Sequence, residues 1–392
     1  MKAQRPEHEL LRLCVRRRLV PTDDASVGRL LERPLDWLYL FNLGDHHQVL
    51  PLLNECLLAA RGGAVPPTVL KAVTWRLATV RARNRRFAEA LVGLHHAATA
   101  AGLPVLSFKG PLLATMLYGD VGLRQFGDLD MLVDPGSFAR AEELFACRGY
   151  QRTRDHGYEV TLVNESTGIS VDLHRALSPD NFPVSMSFAR LWSRREMVGL
   201  EGSFVETLSA RDALMALCIG AVKDARVGQV KLGKISDLAH LFAAAGTTDW
   251  TEVESQARRL GLQRVMGFGI RLTAGVLEIP ASGPPGLLAS PRRWERFVRE
   301  AEDMLFAAPR RRPPERHGAL FHFHIRERWR DKLWPYGRYV LDLVTPSSLD
   351  RSVVTLPRRL SLLYYVVRPV RLAHKYAARL MRYLPFDRRP LA

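Results

Sequence analysis

The sequence predicts an α+β fold, a small mixed sheet flanked by N-terminal and C-terminal helical regions. Three observations lead there. Apolar residues recur at helical spacing up to about residue 90. From Gly102 to Leu173 the pattern changes to short apolar or alternating runs bounded by turn residues. From Ser209 onward the helical spacing returns.

The elements follow in order. Leu10, Leu11, Cys14 and Val15 share a helical face, as do Trp37, Leu38, Leu40 and Phe41, and then Val49, Leu50, Leu53 and Leu57. The 65–98 stretch continues this pattern through His95 and His96, two imidazoles with no third metal ligand nearby in sequence. Val105 to Phe108 is an apolar run that predicts a buried strand. Pro111 then suits the first turn of a helix with Leu112, Leu113, Met116 and Leu117 on its apolar face. Asp128 to Val133 predicts a second strand, and Ser137 a cap for a helix carrying Ala141, Leu144 and Phe145. Strands over Tyr158–Val163 and Ile169–Leu173 are joined by a turn at Gly168. Ser209 and Asp212 form a capping-box pattern before Leu214, Leu217 and Cys218. Helices are expected around 229–245, 251–277 and 291–306, with a linker from Pro280 to Pro291 and a second breaker from Pro309 to Pro314. The expected division is an N-terminal helical region at 1–88, a core at 89–204, a helical domain at 205–306 and a basic C-terminal region at 307–392.

Composition narrows the classes. At 392 residues, with 47% hydrophobic and 25% charged residues, the chain can bury a sizeable core and is not compositionally disordered. Its net charge of +17 favours polyanionic partners. From Arg310 to the end, 19 Lys and Arg stand against 6 Asp and Glu, so most of the surplus lies in the last fifth. The four cysteines, Cys14, Cys56, Cys147 and Cys218, form no CxxC pair, which leaves a zinc ribbon or thioredoxin-type site without support. The first residues lack a signal-peptide apolar region, and the apolar run Leu360 to Val367 is far shorter than the roughly 20 residues of a membrane span. A cytoplasmic location is expected.

The chemistry concentrates on carboxylates. Residues i and i+2 of a strand face the same way, so Asp128 and Asp130 project together while Leu129 and Met131 turn into apolar packing. Two like charges held this close favour a cation between them, and Mg²⁺ or Mn²⁺ suits oxygen ligands. Asp172, in Val171-Asp172-Leu173-His174, repeats the alternation and becomes a third carboxylate if its strand lies beside the first. Asp172 is also a candidate base, and His174 either reaches the site or makes a structural hydrogen bond. Lys109 and Gly110 stand where a strand passes into a helix, which offers free N–H groups and a charge for a phosphate. Arg124 either binds another phosphate oxygen or pairs with Asp128 or Asp120.

These residues carry a resemblance. Phe108-Lys109-Gly110-Pro111-Leu112-Leu113, with Tyr118, Arg124, Phe126, Asp128, Asp130 and Asp172-Leu173-His174, resembles the uncharacterised bacterial nucleotidyltransferase family of the DNA polymerase beta superfamily. The likeness spans about residues 10 to 300. It implies a nucleotidyltransferase core in which Gly110 opens an NTP-binding helix, Asp128, Asp130 and Asp172 bind the metal, and the helical region after Ser209 closes over the nucleotide. Lys231, Lys234 and Asp237 share a helical face there, and Lys234 is a candidate phosphate contact. The chain departs from the superfamily in having Lys109-Gly110 where Gly-Ser or Gly-Gly is usual, and in its longer gap from Gly110 to Asp128.

The expected activity is metal-dependent transfer of a nucleoside monophosphate from an NTP to an acceptor, releasing pyrophosphate. A small molecule, a peptide, a carbohydrate intermediate and RNA are all open as the acceptor. The alternative is a non-catalytic nucleotide- or RNA-binding module. The basic C-terminal region, with Tyr364, Tyr365, Arg368, Arg371, His374, Lys375, Arg379 and Arg382, suits RNA, an anionic membrane surface or simple packing on the protein.

Overall fold

In the computed structural model, residues 5–19, 24–60, 65–179, 186–245, 250–281, 283–288, 293–306, 323–329, 331–333, 345, 361 and 363–381 are described. The chain forms two compact units, one of residues 1–180 and 184–327, the other of residues 181–183 and 328–392.

The first unit opens with helices α1 (Pro6–Arg16), α2 (Asp24–Leu31), α3 (Trp37–His46), α4 (Leu50–Ala59) and α5 (Pro67–Ala100). Proline in the first turn starts α1, α4 and α5, where its missing N–H leaves no bond unmade. The boundary expected after residue 88 falls inside α5, which continues without a break to Ala100. The sheet region follows: β1 (Val105–Ser107), α6 (Gly110–Tyr118), β2 (Leu129–Val133), α7 (Phe138–Ala146), β3 (Tyr150–Asp155), β4 (Glu159–Asn164), β5 (Ile169–His174), α8 (Phe188–Ser193), β6 (Glu196–Leu200) and β7 (Ser203–Thr207).

The architecture is α+β. Seven strands make one mixed sheet in the order β3-β4-β5-β2-β1-β7-β6, with β2–β5 and β1–β7 parallel and the other neighbours antiparallel. Phe87, Leu91 and Leu94 of α5 and Phe138, Ala141 and Phe145 of α7 belong to the same buried cluster as Leu129, Met131, Val171 and Leu173 of the central strands. This fixes one face of β2 and β5 against helices. Their alternate residues are therefore forced to the other face.

Helices α9 (Ala210–Val227), α10 (Leu232–Ala245), α11 (Trp250–Leu260), α12 (Gln263–Leu277), α13 (Pro285–Leu288) and α14 (Arg293–Leu305) complete the unit. Ser209 caps α9 by accepting from the Asp212 N–H, as its pattern predicts. Ser137 makes no such bond. The turn before α7 is held instead by Asp134, which accepts from the Gly136 N–H. The helix expected over 251–277 is two helices, because Gly261 takes φ +72° and Leu262 donates back to the Ala257 carbonyl. In the second unit α15 (Tyr364–Met381) is helical through Pro369. The breaker at Pro309–Pro314 and the side chains of His374, Lys375, Arg379 and Arg382 lie outside the described residues. Among the described residues no helix is long and apolar enough to cross a membrane.

Candidate active site

The site begins with strand register. Leu129 and Met131 are buried in the core, so Asp130 between them turns to the opposite face, and Asp128 stands just before the strand. Across the parallel pair, Asp130 is the register partner of Asp172. Across the next, antiparallel pair, Asp172 is the partner of Thr161, and His174 the partner of Glu159. Neighbouring strands lie about 4.8 Å apart, so these side chains form a polar patch on the sheet. Asp130 and Asp172 are thus brought to one face, and Asp128, just before β2, is near enough to feel both charges.

Each has a different surrounding. Asp130 is almost fully buried, and its Oδ1 accepts from Lys109 Nζ at 2.6 Å and lies 3.2 Å from His174 Nε2. Burial works against its charge, yet Lys109 and His174 overcome this and hold the carboxyl below the ordinary range. Asp128 has the reverse fate. Burial and then the Asp130 charge push its carboxyl up to about 6. Asp172 accepts from Thr161 Oγ1 at 2.8 Å, and its carboxyl is raised by burial despite that bond.

Lys109 was expected at a phosphate and stands instead on Asp130, which keeps its amine above the ordinary value although burial opposes the charge. It also supplies the residue before α6. Gly110 has φ +54°, and a Cβ there would come 3.3 Å from the Asp128 carbonyl oxygen. Glycine therefore allows the start of α6 to lie against the chain that carries Asp128.

Arg124 pairs with neither Asp128 nor Asp120. Its Nε donates to Asp237 Oδ2 at 2.9 Å, and the Tyr118 hydroxyl donates to the other oxygen at 3.0 Å. Arg124 Nη1 is buried without a hydrogen-bond partner. The guanidinium thus ties the loop before β2 to α10. Lys234 pairs with Asp224 at 2.5 Å and is part-exposed. Lys234 and Asp237 stand three residues apart in α10 and line one small cavity with Arg124, Asp237 being buried, whereas Lys231 comes just before the helix.

Four further residues join the site. Glu159 Oε2 lies 3.3 Å from His174 Nδ1, and its Oε1 accepts from the Tyr158 hydroxyl at 2.8 Å. Lys223 Nζ donates to the same hydroxyl at 3.0 Å, and burial lowers its affinity for a proton. Thr161, Glu159, Tyr158 and Lys223 thereby extend the line from Lys109 and Asp130 across the sheet to α9. The hairpin turn at Gly168 carried the signal for two of them. Pairing outward from Asn164 and Ile169 places Thr161 opposite Asp172 and Glu159 opposite His174. Nothing in the sequence marks Tyr158 or Lys223.

Three neighbouring carboxylates offer the oxygen donors that a divalent cation takes, and burial, followed by the Asp130 charge, raises the Asp128 carboxyl. Both contacts to Asp130 fall on Oδ1, which leaves Oδ2 outside them. Among the described residues no three His, Cys, Asp or Glu side chains are already grouped to hold an ion. The carboxylates suit such an ion by type, and Lys109 pairs with Asp130 beside them.

Three comparisons bear on this geometry. Residues 33–278, more than half of the chain, match the family model described as "Uncharacterised nucleotidyltransferase". A search of curated proteins found no match. Among solved structures, the chain is similar to an antigenic nucleotidyltransferase-like protein from Paracoccidioides brasiliensis, with 12% identity and a TM-score of 0.29, covering 50% of this chain and 93% of that one.

Proposed function

The chain belongs to the family described as uncharacterised nucleotidyltransferase, and on that premise we propose that it moves a nucleoside monophosphate from an NTP to an acceptor nucleophile, with pyrophosphate as the second product. The observation that carries this reading is the register pairing of Asp130 with Asp172, with Asp128 just before β2 and close enough for both charges to act on it.

Asp128, Asp130 and Asp172 would hold Mg²⁺ or Mn²⁺, which supplies Lewis-acid charge to the phosphoryl oxygens and the leaving pyrophosphate. The protein's own groups do the rest. Asp172, whose proton affinity burial raises, accepts the proton of the attacking nucleophile. His174, between Asp130 and Glu159, fixes the direction of the Asp130 carboxylate. Lys109 exchanges Asp130 for a phosphate oxygen, beside the N–H groups opening α6. Lys234 is a further phosphate contact, once released from Asp224. Arg124 positions α6 against α10 through Asp237 and is not assigned to phosphate.

The test is to incubate the protein with each α-labelled NTP, Mg²⁺ or Mn²⁺ and cell extract, and to follow label transfer and pyrophosphate release. The labelled product names the acceptor, whether small molecule, peptide, carbohydrate intermediate or RNA. Unchanged turnover by both Asp130→Asn and Asp172→Asn would sink the proposal. NTP binding with no pyrophosphate from any NTP would assign a non-catalytic binding module, the reading that the Lys109–Asp130 ion pair favours.

A further inference from the structure

The C-terminal unit holds a second concentration of charge. From Arg351 to Phe386 the sequence has eight Lys and Arg and no Asp or Glu. Helix α15 (Tyr364–Met381) lies within this stretch and runs on through Pro369.

The two sides of α15 differ. At 3.6 residues per turn, Val366, Pro369, Val370 and Ala373 fall on one side, with Tyr365 at its margin and Leu363 in the turn before. All six are exposed, Val366 by 62% and Val370 by 64%. In the sequence, Ala377 and Leu380 continue the spacing. Tyr364, Arg368 and Arg371 belong to the other side, where Tyr364 is buried and the two arginines are half-buried. Lys375 and Arg379 follow Arg371 at steps of four in the sequence. A helix that only packs on its own protein turns its valines inward and its arginines to water. Here the valines face out.

We propose that α15 is an interfacial helix that seats this unit on an anionic lipid bilayer. The proposal uses no feature of the candidate active site. An anionic bilayer takes both properties of the segment: the apolar side enters the boundary between headgroups and acyl chains, and the surrounding Lys and Arg meet lipid phosphates and carboxylates. Single-stranded RNA would need cations and aromatic rings turned outward, and Tyr365 is the one aromatic residue among the six. A second copy of the helix would bring together two basic stretches with no acidic residue to pair them. Pro369 has no N–H for the Tyr365 carbonyl. Water at the bilayer surface serves that oxygen, whereas the bilayer core could not. Among the described residues no helix is long and apolar enough to cross.

The test is cosedimentation of the full chain with vesicles of three parts phosphatidylcholine to one part phosphatidylserine, and with vesicles of phosphatidylcholine alone, at low and high salt. Saturable binding to the mixed vesicles is expected. High salt, or omission of phosphatidylserine, should weaken it about tenfold or more. Val366→Ser and Val370→Ser should each weaken it about tenfold, because less apolar surface enters the bilayer. Both residues are exposed, so the urea midpoint should not move. The proposal is overturned if the mixed vesicles bind nothing, if they bind no better than phosphatidylcholine, or if both serine variants bind as wild type does. Single-stranded RNA that displaces the vesicles and binds both variants as tightly as wild type would assign the region to RNA instead. A dimer in light scattering that both variants dissolve would assign the face to a second copy, and it too would overturn the proposal.

Discussion

Asp130 and Asp172 face one another as register partners on parallel strands, yet they are held by different neighbours. Asp130 answers to Lys109 and His174, whereas Asp172 answers to Thr161. Their substitutions should therefore have different consequences for the fold.

Asp172→Asn keeps an oxygen for the Thr161 hydroxyl and removes a charge. Turnover of NTP should fall at least about 100-fold, the scale of losing one aimed electrostatic group, while stability shifts by no more than about 1 kcal/mol. Asp130→Asn should be equally inactive but less stable, because Lys109 and His174 lose their anion. Label transfer and urea midpoints on the two variants check the contrast. Equal midpoints would contradict it.

Asp128 predicts a pH dependence. Its carboxyl is raised to about 6 from an ordinary value of 3.8. The folded protein therefore holds this proton more tightly than the unfolded chain does. Its contribution to stability is present in full below pH 4 and is lost as pH rises through about 6. The loss is at most about 3 kcal/mol at 1.36 kcal/mol per unit, and part-exposure reduces it. With EDTA present, Asp128→Asn should be more stable than wild type at pH 7.5 and should lack this slope between pH 4 and 6.5. Mg²⁺ should restore wild-type stability at pH 7.5. Denaturation curves across that range, with and without Mg²⁺, decide the matter. A wild type no less stable at pH 7.5 than its Asn variant would count against the crowding of the two carboxylates.

What was legible in the sequence follows burial. The strands holding Asp130 and Asp172 show apolar alternation because one face is pinned in the core, so both the strands and the direction of their carboxylates could be read. β3 could not. Only Tyr150 of Tyr150–Asp155 is buried, and a strand at the sheet edge needs no alternation. The β6–β7 hairpin, with Met197 and Phe204 exposed, was hidden for the same reason, although Glu201 and Gly202 both take positive φ at its turn. At the site, the carboxylates announce themselves by spacing, but their counter-ions do not. Asp130 takes its cation from 21 residues away, and Arg124 finds Asp237 across 113. Such pairings depend on how the helices pack, and no local pattern encodes them.

Gly110→Ala tests the approach of α6 to the metal-ligand candidates. An L residue at φ +54° costs about 1–2 kcal/mol, and the added methyl would press on the Asp128 carbonyl at 3.3 Å. Stability should drop by at least that amount. Catalysis should fall more than substrate binding, because the displaced group is a carboxylate carrier. Steady-state kinetics on the variant separates the effects, and a pure KM change would indicate that Gly110 serves phosphate binding alone.

The last relationship concerns Arg124. Asp237 is 1% exposed and accepts from both Arg124 and Tyr118, so its carboxylate is the joint between α10 and the loop and helix before β2. Asp237→Ala strands a guanidinium that is 12% exposed, and removing one partner of a buried pair costs about 3–5 kcal/mol. Tyr118→Phe removes one hydrogen bond from Asp237 and one contact with Ser236, worth about 1 kcal/mol each. Arg124→Gln should resemble Asp237→Ala in stability, and the double substitution should cost less than the sum of the two. Such coupling identifies a structural pair. If Arg124 instead served as a phosphate contact, Arg124→Gln would raise the KM for NTP in a protein whose urea midpoint had not moved. Denaturation and kinetics on the same samples therefore assign this arginine to the frame of the site or to its ligand.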